Sequence, residues 1–178
     1  MNLLLLKPEE LRKNRVILSD ERADHILKII KSKKGDTLKA GLLNGMIGDA
    51  LITDISDSKV SIEFTPKSEP PEPADITLIL ALPRPKVFRR ILFAAVSAGV
   101  KDIQIINSWR VEKSYWESPY ISAESIKKIS EEALMQAKDT VMPEVVFYRF
   151  FMEFIEEGLL SIPERREKIL AHPYSEND

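Results

Sequence analysis

The sequence predicts an α/β protein in which a small, mostly antiparallel β-barrel precedes a half built on a parallel sheet. Three observations carry this. Five short β-like runs surround one helical stretch before residue 65; Pro66, Pro70, Pro71 and Pro73 then crowd into "TPKSEPPEPAD"; and apolar strands alternate with helices from there onward. With 178 residues, 44% of them apolar, the chain can bury a real core in one or two domains. The proline stretch favours a stiff extended connector. The predicted division is residues 1–68, a linker at 69–75, and residues 76–178.

In the first part, "NLLLL", "RVILS", "TLKAGLL", "GDALITDIS" and "KVSIEF" read as strands. "SDERADHILKIIKS" reads as a helix across the barrel, with Ser19 or Asp20 as its cap. Ala23, Ile26, Leu27 and Ile30 recur on one face of it. The Asn-Gly pair in "LLNGMIGDA" marks a hairpin.

In the second part, "ITLILAL", "DIQIIN", "EVVFY" and "KILAH" read as buried parallel strands. Between them lie a helix from Lys86 and another around "SAESIKKISEEALMQAK". Phe88, Ile91, Leu92, Ala95, Val96 and Gly99 follow helical spacing and define a core face, so Lys86, Arg89 and Arg90 stay off the core.

The chain has no Cys, which excludes disulfides, thiolate metal sites and a cysteine nucleophile. His25 and His172 are remote in sequence, and no metal-ligand spacing, P-loop, G-x-G-x-x-G or G-x-S-x-G occurs. A metal is not expected. No apolar run reaches membrane-spanning length and "MNLLLL" is too short for a signal segment, so the expected location is cytoplasmic.

The net charge of −2 conceals an asymmetry: residues 1–68 hold 12 Lys and Arg against 10 Asp and Glu. Lys28, Lys31, Lys33, Lys34 and Lys39 gather around Asp36, as a phosphate footprint or as a solvated turn. Lys86, Arg89 and Arg90 open a helix, where cations oppose the positive end of the helix dipole unless an anion joins them. In open parallel sheets ligands bind beyond the carboxyl ends of strands, which makes "LPRPK" and "NSWRVEKSYW" candidates by placement. Trp109, Tyr115 and Trp116, interleaved with Arg110 and Lys113, either stack bases and hold phosphates or pack onto the domain or a second subunit. Glu131 and Glu132, near Lys127 and Lys128, read as an exposed helix face.

Along nearly its whole length the chain resembles the RsmE-type family of small-subunit ribosomal RNA uridine-N3 methyltransferases. The likeness lies in "MNLLLL", "RADHILKIIKSKKGDTLKAGLLNG", "LALPRPK…AGVKDIQIINSWRVEKSYW" and "QAKDTVMPEV". It implies a PUA-like RNA-binding barrel followed by a SPOUT domain, whose C-terminal trefoil knot holds S-adenosylmethionine. It also implies a homodimer that methylates N3 of a uridine in 16S rRNA within the small ribosomal subunit. In the family a segment like "KILAHPYSEND" is followed by a Gly-Pro-Glu-Gly-Gly loop and further loops that build the knot. None of these occurs in the 178 residues, so the chain is expected to stop short of its cofactor site and not to bind the cofactor by itself.

Methylation of N3 needs a group that stabilises the deprotonated base, and of the cations at the strand ends Arg84 and Lys86 are the candidates for it. Arg89, Arg90, Arg110, Lys113 and Gln136 are candidates for RNA contact, and His25, Lys28 and Lys31 match a family helix assigned to RNA positioning. Many relatives carry a Lys and a Glu where this chain has Ala94 and Ser97, and an acid, a Gln and an Arg where it has Met135, Gln136 and Asp139. No general base is identified. Two other readings stand beside the enzyme: a non-catalytic RNA-binding module, and a nucleotide-binding regulator of Rossmann type, which "LPRPK" does not suit.

Overall fold

The computed structural model describes residues 2–163 and 167–171. Two sheets organise the chain. The first contains β1 (Leu4–Leu6), β2 (Arg15–Leu18), β3 (Thr37–Leu42), β4 (Ile47–Ser56) and β5 (Lys59–Ser68) in the order β1-β3-β4-β5-β2. β1 runs parallel to β3; the other pairings are antiparallel. Alternation decides which face is buried: Val16 and Leu18 of β2, and Val60, Ile62 and Phe64 of β5, turn inward, while Arg15 and Ile17 face water.

The expected barrel does not close. The sheet is open, with β1 and β2 at its edges. β1 contributes three residues and spends its second face elsewhere, which is why "LLLL" reads as an unbroken apolar run instead of an alternation. Leu4 and Leu6 join the first core, whereas the N–H groups of Asn2 and Leu3 donate to the Met135 carbonyl at 3.2 and 3.1 Å, under a helix of the second half.

Helix α1 (Glu21–Asp24) is capped by Asp20, whose side chain accepts from the Arg22 N–H, and continues as a π-helix over His25–Ile30. The wider winding changes the face. Ala23 and Ile26 are buried, but Ile30, expected on the same stripe, is 40% exposed, because the added residue per turn rotates it off the core. Lys31 ends this segment in a left-handed conformation, φ 60°.

The Asn-Gly hairpin forms as expected, with Asn44 at φ 57° and the Gly45 N–H donating to the Leu42 carbonyl at 2.7 Å. Strand β5 reaches into the proline stretch: Pro66 pairs opposite Gly48 beside a shift in register, where a missing N–H is tolerated. The next strand starts at Ala74, so irregular backbone is confined to residues 69–73.

The second sheet is parallel, in the order β6 (Ala74–Ala81), β7 (Val100–Ile106), β8 (Glu144–Tyr148). α2 (Pro85–Ser97) crosses from β6 to β7, and α3 (Ala123–Ala137) from β7 to β8. Phe88, Leu92 and Val96 of α2 meet Ile129, Ala133 and Leu134 of α3 and Ile103 and Ile105 of β7 in the second core. Gln104 points to the opposite face and donates to Ser161 Oγ at 3.4 Å. That face is covered by α4 (Phe151–Glu153), a π-turn over Phe154–Gly158, and α5 (Leu159–Ser161), helical segments absent from the sequence-based expectation. Their signal was the helical spacing of Phe151, Phe154 and Gly158. The strand expected at "KILAH" is not found over residues 167–171, where Ile169 and Leu170 are 85% and 87% exposed; His172 lies outside the described residues.

Candidate nucleic-acid interface

Parallel register puts three chain segments at one edge. Ala81 of β6 lies opposite Ile106 of β7, which lies opposite Tyr148 of β8. The residues that follow therefore emerge side by side: Leu82 to Lys86, Asn107 to Lys113, and Arg149. Backbone bonds tie the exits together, from the Leu82 N–H to the Ile106 carbonyl at 3.0 Å and from the Asn107 N–H to the Tyr148 carbonyl at 3.2 Å. The Asn107 amide donates to the Arg149 carbonyl at 3.0 Å.

Arg84 is the N-cap of α2 and Pro85 its first residue, a position where proline's fixed φ helps and its missing N–H costs nothing. The arginine side chain cannot accept a hydrogen bond, so this helix start has no side-chain cap. Arg84, Lys86, Arg110, Lys113 and Arg149 are all exposed, and none makes an ion pair among the described residues. Arg149 was not among the sequence-predicted residues, although its position directly after "EVVFY" is the same signal that marked Arg84. Tyr148, beneath this edge, keeps its proton: burial and the carboxylates of Glu157, Asp102, Glu153 and Glu144 push its phenol above the usual range.

The other candidates are distributed differently. Arg90 is exposed on α2, while Arg89 leans toward α3 and meets Glu132 at 3.4 Å. Glu131 stands 4.0 Å from Lys127, but both Glu131 and Glu132 are half-buried, so the acidic pair on α3 is not the exposed face expected: Glu132 turns to Arg89 on α2. Tyr115 and Trp116 pack against the second core, Trp116 edge-on to Phe147 at 6.3 Å, whereas Trp109 is 99% exposed. His25 is half-buried, Lys28 pairs with Asp24 at 2.7 Å, and Lys31 is exposed, all on the helix of the first sheet. Lys34 and Lys39 meet Asp54 and Asp49 at 3.6 and 2.7 Å, which neutralises part of the lysine cluster.

Gln136 lies at the opposite, amino end of the parallel sheet, where its carbonyl accepts from the Asn2 amide at 2.9 Å. The string around it is a structural joint. Asp139 Oδ1 accepts from the N–H groups of Thr140 and Val141 at 2.6 and 3.0 Å, and Oδ2 meets Lys101 Nζ at 2.5 Å. The turn so formed clasps the hairpin of the first sheet. Thr140 Oγ1 donates to the Gly45 carbonyl at 2.5 Å, the Asn44 N–H donates to the Thr140 carbonyl at 2.8 Å, and the Met142 N–H donates to Asn44 Oδ1 at 2.8 Å.

An open parallel sheet with unpaired cations at its carboxyl edge defines an α/β protein suited to a polyanion. Residues 70–178 match the family model described as RNA methyltransferase domain, and the chain belongs to that family. It is 31% identical over 147 residues to ribosomal RNA small subunit methyltransferase E of Treponema pallidum, covering 80% of this chain and 55% of that protein. It is 29% identical over 160 residues to ribosomal RNA small subunit methyltransferase E 1 of Borreliella burgdorferi, covering 88% of this chain and 65% of that protein. The chain thus spans between about half and two thirds of the curated relatives it matches. The crystal structure of a ribosomal RNA small subunit methyltransferase E from Neisseria gonorrhoeae bound to S-adenosyl methionine shares the fold. Its TM-score is 0.62 at 20% identity, over 92% of this chain and 66% of that one. These relatives bear out the RsmE-type resemblance. No helix among the described residues is long and apolar enough to cross a membrane.

Proposed function

We propose that this chain supplies the RNA-facing part of an RsmE-type enzyme that methylates N3 of a uridine in 16S rRNA of the small ribosomal subunit, with S-adenosylmethionine as methyl donor. In this reading the first sheet is a PUA-like RNA-binding unit, residues 76–178 belong to a SPOUT domain, and the protein acts as a cytoplasmic homodimer. The observation that carries the reading is the level alignment of Ala81, Ile106 and Tyr148, which brings Arg84, Lys86, Arg110, Lys113 and Arg149 to one edge.

Uridine N3 carries a proton and becomes a nucleophile when that proton leaves. The negative charge then spreads onto the two carbonyl oxygens of the base. Fixed cations at that position stabilise the anion more than the neutral base, and so favour the reactive form. This role is assigned to Arg84 and Lys86, at a helix start that has no side-chain cap. Arg110, Lys113 and Arg90 serve the phosphates, and His25, Lys28 and Lys31 serve RNA on the first sheet.

S-adenosylmethionine supplies the methyl group when bound. Arg84, Lys86, Arg110, Lys113 and Arg149 are not the groups that would hold it, since its sulfonium is itself a cation; they complement the anionic base and the phosphates. These side chains are assigned to RNA, and no step is routed through the donor.

The test is methyl transfer by the intact protein to small subunits lacking the modification, read as labelled methyl incorporation and as a primer-extension stop, since N3-methyluridine cannot pair. Arg84→Ala and Lys86→Ala should each lower the rate by about 100-fold with little change in RNA retention, the magnitude seen when one oxyanion-stabilising donor is removed. RNA retention without any incorporation would instead make the protein a non-catalytic RNA-binding module.

A further inference from the structure

Two tryptophans, Trp109 and Trp116, lie seven positions apart in one segment, yet the chain treats them oppositely. Val111, Tyr115 and Trp116 all pack on the second core, while Trp109 keeps 99% of its surface in water. The cause is local. The Val111 N–H donates to the Ser108 carbonyl at 3.0 Å, so Trp109 and Arg110 occupy the two corner positions of a tight turn and stand clear of the sheet. The turn sits just past β7, between the exits carrying Arg84 and Arg149. The acidic neighbour Glu112 is engaged by the Tyr115 hydroxyl at 3.0 Å.

Resting on the assignment of this edge to RNA, we infer that Trp109 is a stacking platform for an unpaired RNA base, with Arg110 and Lys113 holding the flanking phosphates. The substrate class is a single-stranded or bulged RNA segment, not a continuous duplex. An indole presents a π-face that any base can cover, but bases inside a duplex already have both faces stacked. The surroundings favour RNA over a protein surface. Trp109 stands between Ser108 and Arg110, both exposed, among cations that complement a polyanion, and the exposed ring of Phe150, which follows Arg149, is a second face that a base can cover.

The experiment is titration of the intact protein with a single-stranded oligouridine, with a blunt RNA duplex of equal length and with inorganic phosphate, followed by tryptophan fluorescence and by filter retention. Trp116 is half-buried against the core while Trp109 is 99% exposed, so a change at the red edge of the emission reports chiefly Trp109. The single strand should quench it strongly; the duplex and phosphate should not. Trp109→Ala should weaken single-strand binding about tenfold or more, while Trp109→Phe retains most of the affinity. The slope of log affinity against log salt should be the same in all three proteins, because every phosphate-binding cation is still present. Retained RNA with unchanged fluorescence overturns the stacking role and leaves the RNA edge standing; no retained RNA overturns both. Conversion of a dimer to a monomer by Trp109→Ala, with RNA affinity intact, overturns the proposal in favour of a contact between copies.

Discussion

Lys101 Nζ lies 2.5 Å from Asp139 Oδ2, with the two side chains only 12% and 5% exposed, and this pair holds the turn that joins the two sheets. Each partner is also hydrogen-bonded to backbone: Lys101 to the Val141 carbonyl at 2.6 Å, Asp139 to two N–H groups. Removing one member of such a pair leaves a charge without compensation. Asp139→Ala should destabilise the fold by about 3–5 kcal/mol, measured by urea unfolding. Asp139→Asn should cost less, because its amide oxygen still accepts from Thr140 and Val141. Equal losses in the two variants would show that the turn hydrogen bonds contribute nothing beyond the ion pair.

A second network sets acid stability. Arg22 donates to Glu10 Oε1 and Oε2 at 2.5 and 3.0 Å, to Asp20, and to the Leu5 carbonyl at 2.9 Å. Burial alone would raise the Glu10 carboxyl, but the Arg22 hydrogen bonds and charge, with the Lys7 N–H, bring it below the usual range; Arg22 lowers Asp20 directly. The guanidinium itself is held charged more firmly than usual, its bonds to Glu10 and Asp20 outweighing burial. Carboxyls depressed in the folded state add stability that is complete above the unfolded values near 4.5 and 3.8 and is lost as pH falls through the lower folded values. The urea midpoint of the wild type should therefore drop more steeply below about pH 4.5 than that of Arg22→Met. Parallel curves would sink this account.

Gly48 sits in β4 against β5 so closely that an added Cβ would collide with the Thr65 carbonyl oxygen and approach Pro66 Cα at 2.8 Å. Backbone cannot move aside as a flexible side chain would. Gly48→Ala should cost about 1–3 kcal/mol, while Gly45→Ala, whose Cβ would meet Leu42 at an ordinary 3.4 Å, should cost less. Thermal unfolding of the two variants decides the order.

On the first sheet, Lys28→Ala with Lys31→Ala should weaken RNA binding and reduce the slope of log affinity against log salt by about 1.4–1.8, one increment of about 0.7–0.9 for each phosphate that is no longer neutralised. Retention measured between low and physiological salt reads it. An unchanged slope would remove both lysines from the interface.

Much of the architecture was legible because alternation and helical spacing are local signals. β2, β5, α2 and α3 follow from where Val, Ile, Leu and Phe recur, and the Asn44-Gly45 hairpin from its turn chemistry. Residues whose meaning comes from partners far along the chain were not legible. The leucines of β1 are buried on both sides because α3 lies over them, and Asp139 is engaged by Lys101, 38 positions away. The π-winding of His25–Ile30 changes a periodicity that the sequence pattern assumes constant. The clustering of Arg84 and Arg110 could be anticipated from strand ends, but the separation of Trp109 from Trp116 required knowing where the chain turns.

The clasp of Thr140 and Met142 on Asn44 and Gly45 has a mechanical consequence. With the hairpin tip fastened to the loop before β8 by three hydrogen bonds, the spacing from Lys31 to Arg84 is constrained by the protein as well as by whatever it binds. In the proposed reading, an RNA that touches both conforms to a spacing the protein sets.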